Sequence, residues 1–288
     1  MTEKKSLAII LDGKPKKFKG FWASVSKFKT FKSCAAKFKF NYLDRLPKKY
    51  HDFHILGKFA HFNLEQFHLK RLAGDIRPDS TLMSECFKEG VEEFKEKLTS
   101  DQKKEVYQMM IKYLEILAKQ RKEGSLPKIL EVEEEFYITL DGRILLMGFI
   151  DRVQLDADGV LHVADYKTSK SKTYLKEDIF QLITYAYVKC LQDPSIKKVR
   201  ASYIMLKHNF DYITFEFSRE EIMKMEEKFM GDSDTILDEK LYRPEPSPLC
   251  SYCDFMESCA EGKKFHEERE RQKEKRNKAG STWGRQKW

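Results

Sequence analysis

The chain has 288 residues, a hydrophobic fraction of 41% and a formal net charge of +8, enough apolar material for one large core or two modest ones. No run approaches the roughly 18 consecutive apolar residues of a membrane span. The stretch MTEKKSLAIILDGKPKKFKG lacks the apolar length and small-residue cleavage site of a secretory signal, so a soluble cytoplasmic protein without a membrane partner is expected, bacterial or phage-encoded.

From Lys14 to Lys49 there are twelve Lys or Arg and one acid, Asp44, with Phe, Tyr and Trp interleaved. That mixture suits a phosphate backbone and its bases; it equally suits a Lys-rich surface helix whose aromatics face the core. Helical spacing starts near Ser26 and runs through Phe28, Phe31, Ala35, Phe38 and Tyr42, with Cys34 on the same segment. A second helix is predicted near 57–70, and a charged amphipathic stretch over 84–121 repeats Phe87, Val91, Phe94 and Leu98.

From Lys128 the period changes to that of strands. Asp141-Gly142 and Asp158-Gly159 each stand between β-rich runs, predicting three antiparallel strands joined by tight turns. KEDIFQLITYAYVKCLQ returns to helical spacing, and KVRASYIMLK and YITFEF form a strand pair. A helix then starts at Ser218, where Glu221 completes a capping box. The order predicts an α/β (α+β) fold with a mixed central sheet flanked by helices: a helical N-terminal portion over 1–127, a core over 128–262 and a charged tail over 263–288, frayed or disordered.

In VLHVADYK, side-chain alternation puts Asp165 and Lys167 on one face, and a hairpin turning near 156–159 brings Asp151 beside them. Two carboxylates and an ammonium would destabilise an apolar hairpin end unless compensated. Mg²⁺ or Mn²⁺ would resolve the conflict, polarising a phosphodiester oxygen and acidifying bound water, with Lys167 orienting that water or stabilising charge on phosphorus. The plain alternative is a solvated strand end in which Asp151 pairs with Arg152 or another cation.

GFIDRV, VADYKTSKS and QLITYAY together resemble, in order and spacing, the core of the PD-(D/E)XK nuclease superfamily and in particular its RecB-like branch. The resemblance implies a restriction-endonuclease-like core in which Asp151 and Asp165 are metal ligands, Lys167 the catalytic lysine and the Tyr166 backbone carbonyl a further ligand. It puts Gln181 and Tyr185 in the site as well; being four residues apart, they share a helix face. Ile150 stands where the family name has Pro. The branch also carries a Gly-x-x-x-His helix with an acid four positions on, matched by Gly57, His61 and Glu65, so His61 is implied as a metal ligand. Glu133 lies on the preceding strand, but Glu131, Glu134 and Glu135 compete with it and a solvated strand end is the preferred reading.

Cys250, Cys253 and Cys259 follow a C-x2-C-x5-C pattern, which one more thiolate would close into a four-cysteine site. Iron-sulfur members of the branch, of the CRISPR-adaptation and AddAB types, take one Cys from an early helix and three from the C-terminus. SKFKTFKSCAAKFKFNYLDRLP is similar to that early element, with Ala35 where Pro often follows. A [4Fe-4S] cluster on Cys34, Cys250, Cys253 and Cys259 is therefore implied. Zinc is the rival, with His266 able to replace Cys34. Cys86 and Cys190 fall on apolar helix positions and read as core residues.

The expected function is a metal-dependent DNA nuclease. An exonuclease acting on ends or single strands in recombination or repair is expected rather than an endonuclease, with DNA and a helicase or recombinase as partners. No Walker A pattern is present, so no ATPase activity of its own is expected. The alternative is a non-catalytic or zinc-stabilised nucleic-acid-binding protein that keeps the fold.

Overall fold

The computed structural model describes residues 8–49, 52–176 and 178–283. The chain forms two compact units, Met1–Val25 with His51–Ser233, and Ser26–Tyr50 with Asp234–Trp288. The boundary expected at 127/128 falls inside the first unit, because the helices before it bury their apolar faces on the sheet after it.

In chain order the elements are β1 (Ala8–Ile10), β2 (Phe21–Ala23), α1 (Val25–Ser33), α2 (Ala35–Phe38), α3 (Asp52–Leu72), α4 (Asp79–Glu93) and α5 (Ser100–Glu123). There follow β3 (Lys128–Leu140), β4 (Ile144–Leu155), β5 (Leu161–Lys167), α6 (Phe180–Gln192), β6 (Lys198–Met205), β7 (Asp211–Ser218), α7 (Arg219–Met223), α8 (Met225–Asp238) and α9 (Ala260–Trp283). The predicted tail is thus helical as far as Trp283. Among the described residues no helix is long and apolar enough to cross a membrane.

In the first unit the sheet runs β1-β3-β4-β5-β6-β7, with β2 parallel to the start of β4. The sheet is mixed: β3, β4 and β5 are antiparallel as expected, and β5 and β6 are parallel, joined by a crossover through α6. Asp141 (φ 50°) and Gly142 (φ 63°) both take the left-handed conformation of a type I′ turn, which is why Asp-Gly marks that hairpin. The edge strands β1 and β2 are only three residues each and carry too little pattern to read from sequence.

Alternation on β5 separates two chemistries. Ala164 and Tyr166 face the cluster built by α3, α4 and α5, where Phe59, Leu64, Phe67, Cys86 and Met110 pack. Asp165 and Lys167 face α6. The stretch predicted over 84–121 is two helices, because Thr99 breaks it: its hydroxyl accepts the Gln102 N–H while the Gln102 side chain accepts the Thr99 N–H. The helix predicted from Ser26 is likewise interrupted at Cys34, whose extended backbone caps α2 before a π-helical turn over Lys39–Leu43. Within that second unit Phe28 and Phe38 are buried, so these aromatics of the basic stretch are core residues.

Candidate active site

The β4–β5 ladder ends at Arg152 opposite Ala164, and Asp151 and Asp165 continue the register as the strands part. On the other side of β4, Val132 pairs with Arg152 and Glu134 with Ile150, leaving Glu133 opposite Asp151 without a rung. Glu133 has φ 49°, a left-handed conformation that costs a non-glycine residue about 1–2 kcal/mol. Glu133, Asp151 and Asp165 therefore sit at one level on three neighbouring strands.

Helices complete the site from two sides. On α3, His61 places Nε2 3.0 Å from the Tyr166 carbonyl and Nδ1 3.5 Å from Asp151 Oδ2. With the proton on Nε2, the ring donates to that carbonyl and presents its Nδ1 lone pair to the carboxylate. Gly57, one turn earlier, allows this approach: a Cβ there would meet Thr168 Oγ1 at 3.1 Å. Asp151 Oδ2 also accepts the Tyr166 N–H, at 2.8 Å. The ligand atoms of His61, Glu133 and Asp151 all lie within 4.8 Å of one another.

On α6, Gln181 and Tyr185 reach Asp165 across one helical turn. Gln181 Nε2 donates to Asp165 Oδ1 at 2.6 Å, and the Tyr185 hydroxyl donates to the same oxygen at 3.3 Å. Lys167 Nζ lies 2.5 Å from Asp165 Oδ2 and donates to Gln181 Oε1 at 3.1 Å. Asp165 and Gln181 thus hold the ammonium from two directions.

Electrostatics set these groups apart from an ordinary strand end. Burial, then the Asp165 and Glu133 carboxylates, push the Asp151 carboxyl well above its usual range. Burial, with Glu65 and Asp165 adding, raises Glu133 to about 7. Burial alone would lower Lys167, but the Asp165 carboxylate outweighs it and the ammonium is held above its ordinary value. Burial lowers His61 and keeps the imidazole neutral, the form that can ligate a metal. Crowded, partly protonated carboxylates beside a neutral imidazole fit a hard divalent cation, which would neutralise them.

The structure brings His61, Asp151, Asp165, Lys167, Gln181, Tyr185 and the Tyr166 carbonyl into one cluster. Two details differ from the implied ligand set. The Asp165 carboxylate turns toward Lys167, Gln181 and Tyr185, and the Tyr166 carbonyl is engaged by His61. Glu133, discounted in favour of a solvated strand end, faces the site. Its competitors are occupied elsewhere: Glu131 and Glu134 on Lys189, Glu135 on the Tyr137 hydroxyl. A signal existed in the sequence, since Glu133 and Asp151 are equidistant from Gly142 in the β3–β4 turn, but reading it required the β3 register.

In the second unit Cys34, Cys250, Cys253 and Cys259 line one cavity of about 70 Å³. Backbone N–H groups of Lys37 and Glu245 point at Cys34 Sγ, each at 3.4 Å. Those of Ser247 and Gly262 point at Cys250 Sγ and Cys259 Sγ, each at 3.3 Å. A Cβ on Gly262 would lie 3.2 Å from Cys259 Sγ, so a side chain there would crowd the sulfurs. Burial raises Cys253 and Cys259 above the ordinary thiol value. His266 bonds Ser251 and does not line the cavity. Cys86 and Cys190 are buried in the first unit.

No curated protein matches this chain. Among solved structures, the "Putative exonuclease" from Eubacterium rectale is similar, with 12% identity and a TM-score of 0.50 over 81% of this chain and 86% of that one. A second, that of SSO0001, is 14% identical and covers 72% of this chain and 85% of that one, with a TM-score of 0.29. The model of the PD-(D/E)XK nuclease superfamily matches residues 23–260, spanning both the acidic rung and the cysteines. The chain belongs to the PD-(D/E)XK nuclease superfamily.

Proposed function

We propose that the chain is a Mg²⁺- or Mn²⁺-dependent DNA nuclease of the RecB-like branch, acting as an exonuclease on DNA ends or single strands in recombination or repair. The observation that carries this reading is the convergence of His61, Glu133 and Asp151 within 4.8 Å, beside a lysine fixed on Asp165. His61, Glu133 and Asp151 would hold the cation, with Asp165 joining if its carboxylate releases Lys167. When bound, the cation supplies charge neutralisation at the scissile phosphate and activation of water.

The chain's own groups do the rest. Lys167, kept protonated by Asp165, stabilises negative charge developing on phosphorus rather than acting as a base. Gln181 positions it, and Tyr185 holds the opposite carboxylate oxygen. Exonuclease action draws support from the name of the E. rectale neighbour. The lysines between Lys14 and Lys49 support a nucleic-acid partner, and a helicase or recombinase would supply single strands.

We further propose that Cys34, Cys250, Cys253 and Cys259 hold a [4Fe-4S] cluster, which would tie the early helices to the C-terminal turns. The N–H groups aimed at sulfur suit thiolates carrying charge. A tetrahedral zinc site, with bonds of about 2.3 Å, would hold its sulfurs about 3.8 Å apart. The distance in sequence between Cys34 and the other three thiols favours the cluster over zinc.

The test is digestion of end-labelled single-stranded and duplex DNA by anaerobically purified protein, with and without Mg²⁺, beside Asp165→Ala and Lys167→Ala. Metal-dependent shortening by the wild type alone supports the reading. Binding of every substrate with cleavage of none overturns it. Brown protein that loses its colour in Cys259→Ser supports the cluster, and colourless protein containing zinc overturns it.

A further inference from the structure

Arg152 follows Asp151 on β4 but points to the other face of the sheet, where its side chain is 2% exposed. It forms the floor of a cavity of about 230 Å³ between the C-terminal part of α3, α5, the first residues of β3 and the segment around Phe210 and Tyr212. Its guanidinium donates to the hydroxyls of Tyr212 at 2.9 Å, Tyr166 at 3.1 Å and Tyr113 at 3.5 Å. Its Nε has no partner. Among the described residues no carboxylate pairs with it.

The surroundings supply no countercharge. Burial, with Arg152 and Arg71 adding, lowers His68 to about 3, so this imidazole is neutral and receives the Tyr113 hydroxyl. Burial pushes the Tyr166 phenol up to about 12 and Tyr113 well above its usual value, so neither is a phenolate. The other charged groups on the wall are Arg71, Arg121 and Asp79, and Asp79 already accepts from both arginines. Three guanidiniums therefore face one carboxylate.

A buried cation without a counterion costs several kcal/mol, and proteins normally place a carboxylate beside it. Here the space beside it is empty of acid and lined by Phe67, Leu117, Ile129 and Phe210. The mouth is cationic, since Arg121 is 57% exposed. Small-ligand sites combine such an apolar wall with a few convergent polar groups.

We propose that this cavity binds a small organic anion, its carboxylate or phosphate head on Arg152 and an apolar, ring-sized body against α3 and α5. The site is separate from the candidate active site, although Tyr166 takes part in both, its hydroxyl on Arg152 and its carbonyl toward His61. An anionic head would occupy the unpaired Nε, and bidentate contact with the guanidinium suits both oxyanions.

The test is calorimetric titration of the full chain in EDTA, which keeps metal out of the candidate active site, with phenyl phosphate, benzoate, inorganic phosphate and neutral benzyl alcohol. Phenyl phosphate or benzoate should bind at least tenfold more tightly than inorganic phosphate or benzyl alcohol, and whichever is tighter names the head group. Arg152→Met should abolish binding. Because that variant also strips three tyrosines of their partner, Ile129→Trp, which fills the cavity and leaves Arg152 in place, should weaken binding at least tenfold while the melting temperature stays near that of the wild type. No binding of any anion at millimolar concentration, or equal binding by the wild type and Ile129→Trp, overturns the proposal.

Discussion

Replacing Asp151 by Asn should stabilise the metal-free protein and at the same time remove its response to metal. Asp151 is 9% exposed and shares its rung with two further carboxylates. Full charges on Asp151 and Glu133, with oxygens within 4.8 Å, would repel by about 3.5 kcal/mol at an effective dielectric constant of ~20. The metal-free protein escapes part of this by keeping a proton. Asn carries no charge and retains an oxygen for the Tyr166 N–H, so a net gain of about 1–3 kcal/mol is expected. A carboxyl whose folded pKa is raised contributes stability that is present below about pH 4 and lost as pH rises through the folded value. The advantage of Asn should therefore be small at pH 4 and grow toward pH 8. Mn²⁺ at a hundredfold excess over its dissociation constant should add about 2.7 kcal/mol to the wild type and nothing to the variant. Urea unfolding at pH 4 and 8, in EDTA and in Mn²⁺, measures all four quantities. A variant less stable than the wild type in EDTA at pH 8, or one that still gains from Mn²⁺, refutes the reasoning.

Other changes separate the same roles. Glu133→Gly frees a left-handed residue of its side chain, so thermal unfolding in EDTA should show a gain of about 1 kcal/mol, while Mn²⁺ affinity by calorimetry falls at least about tenfold. Gln181→Ala leaves Lys167 on Asp165 alone; single-turnover cleavage should slow by about 100-fold with DNA binding unchanged. His68, lowered to about 3, is neutral when folded but takes a proton near pH 6.5 when unfolded. Stability should therefore fall by up to about 1.4 kcal/mol per pH unit below 6.5, and urea unfolding of His68→Asn should lack that slope.

The hairpin and its two aspartates were legible because Asp-Gly turns set the β4–β5 register, and with it which residues face one another. Gln181 and Tyr185 were legible because four residues make one helical turn. Glu133 was hidden among four glutamates, since a left-handed residue inside a strand breaks the alternation on which face assignment depends. The break at Cys34 was obscured by aromatic spacing that continues through it. Thr99 and Gln102 spell a capping box, but the apolar repeat on both sides masked it. Arg152 looked like a partner for Asp151; alternation sends the two to opposite faces, and only the packing of α3 and α5 reveals what the arginine meets there.

Whether His61 and the acidic rung grip one hard divalent ion is tested most directly by pulsed electron paramagnetic resonance of Mn²⁺-loaded protein. Nitrogen coupling from a single imidazole is expected, lost in His61→Gln, together with loss of bound Mn²⁺ in Asp151→Asn. A bound Mn²⁺ without nitrogen coupling, or a spectrum that survives both substitutions, would contradict it.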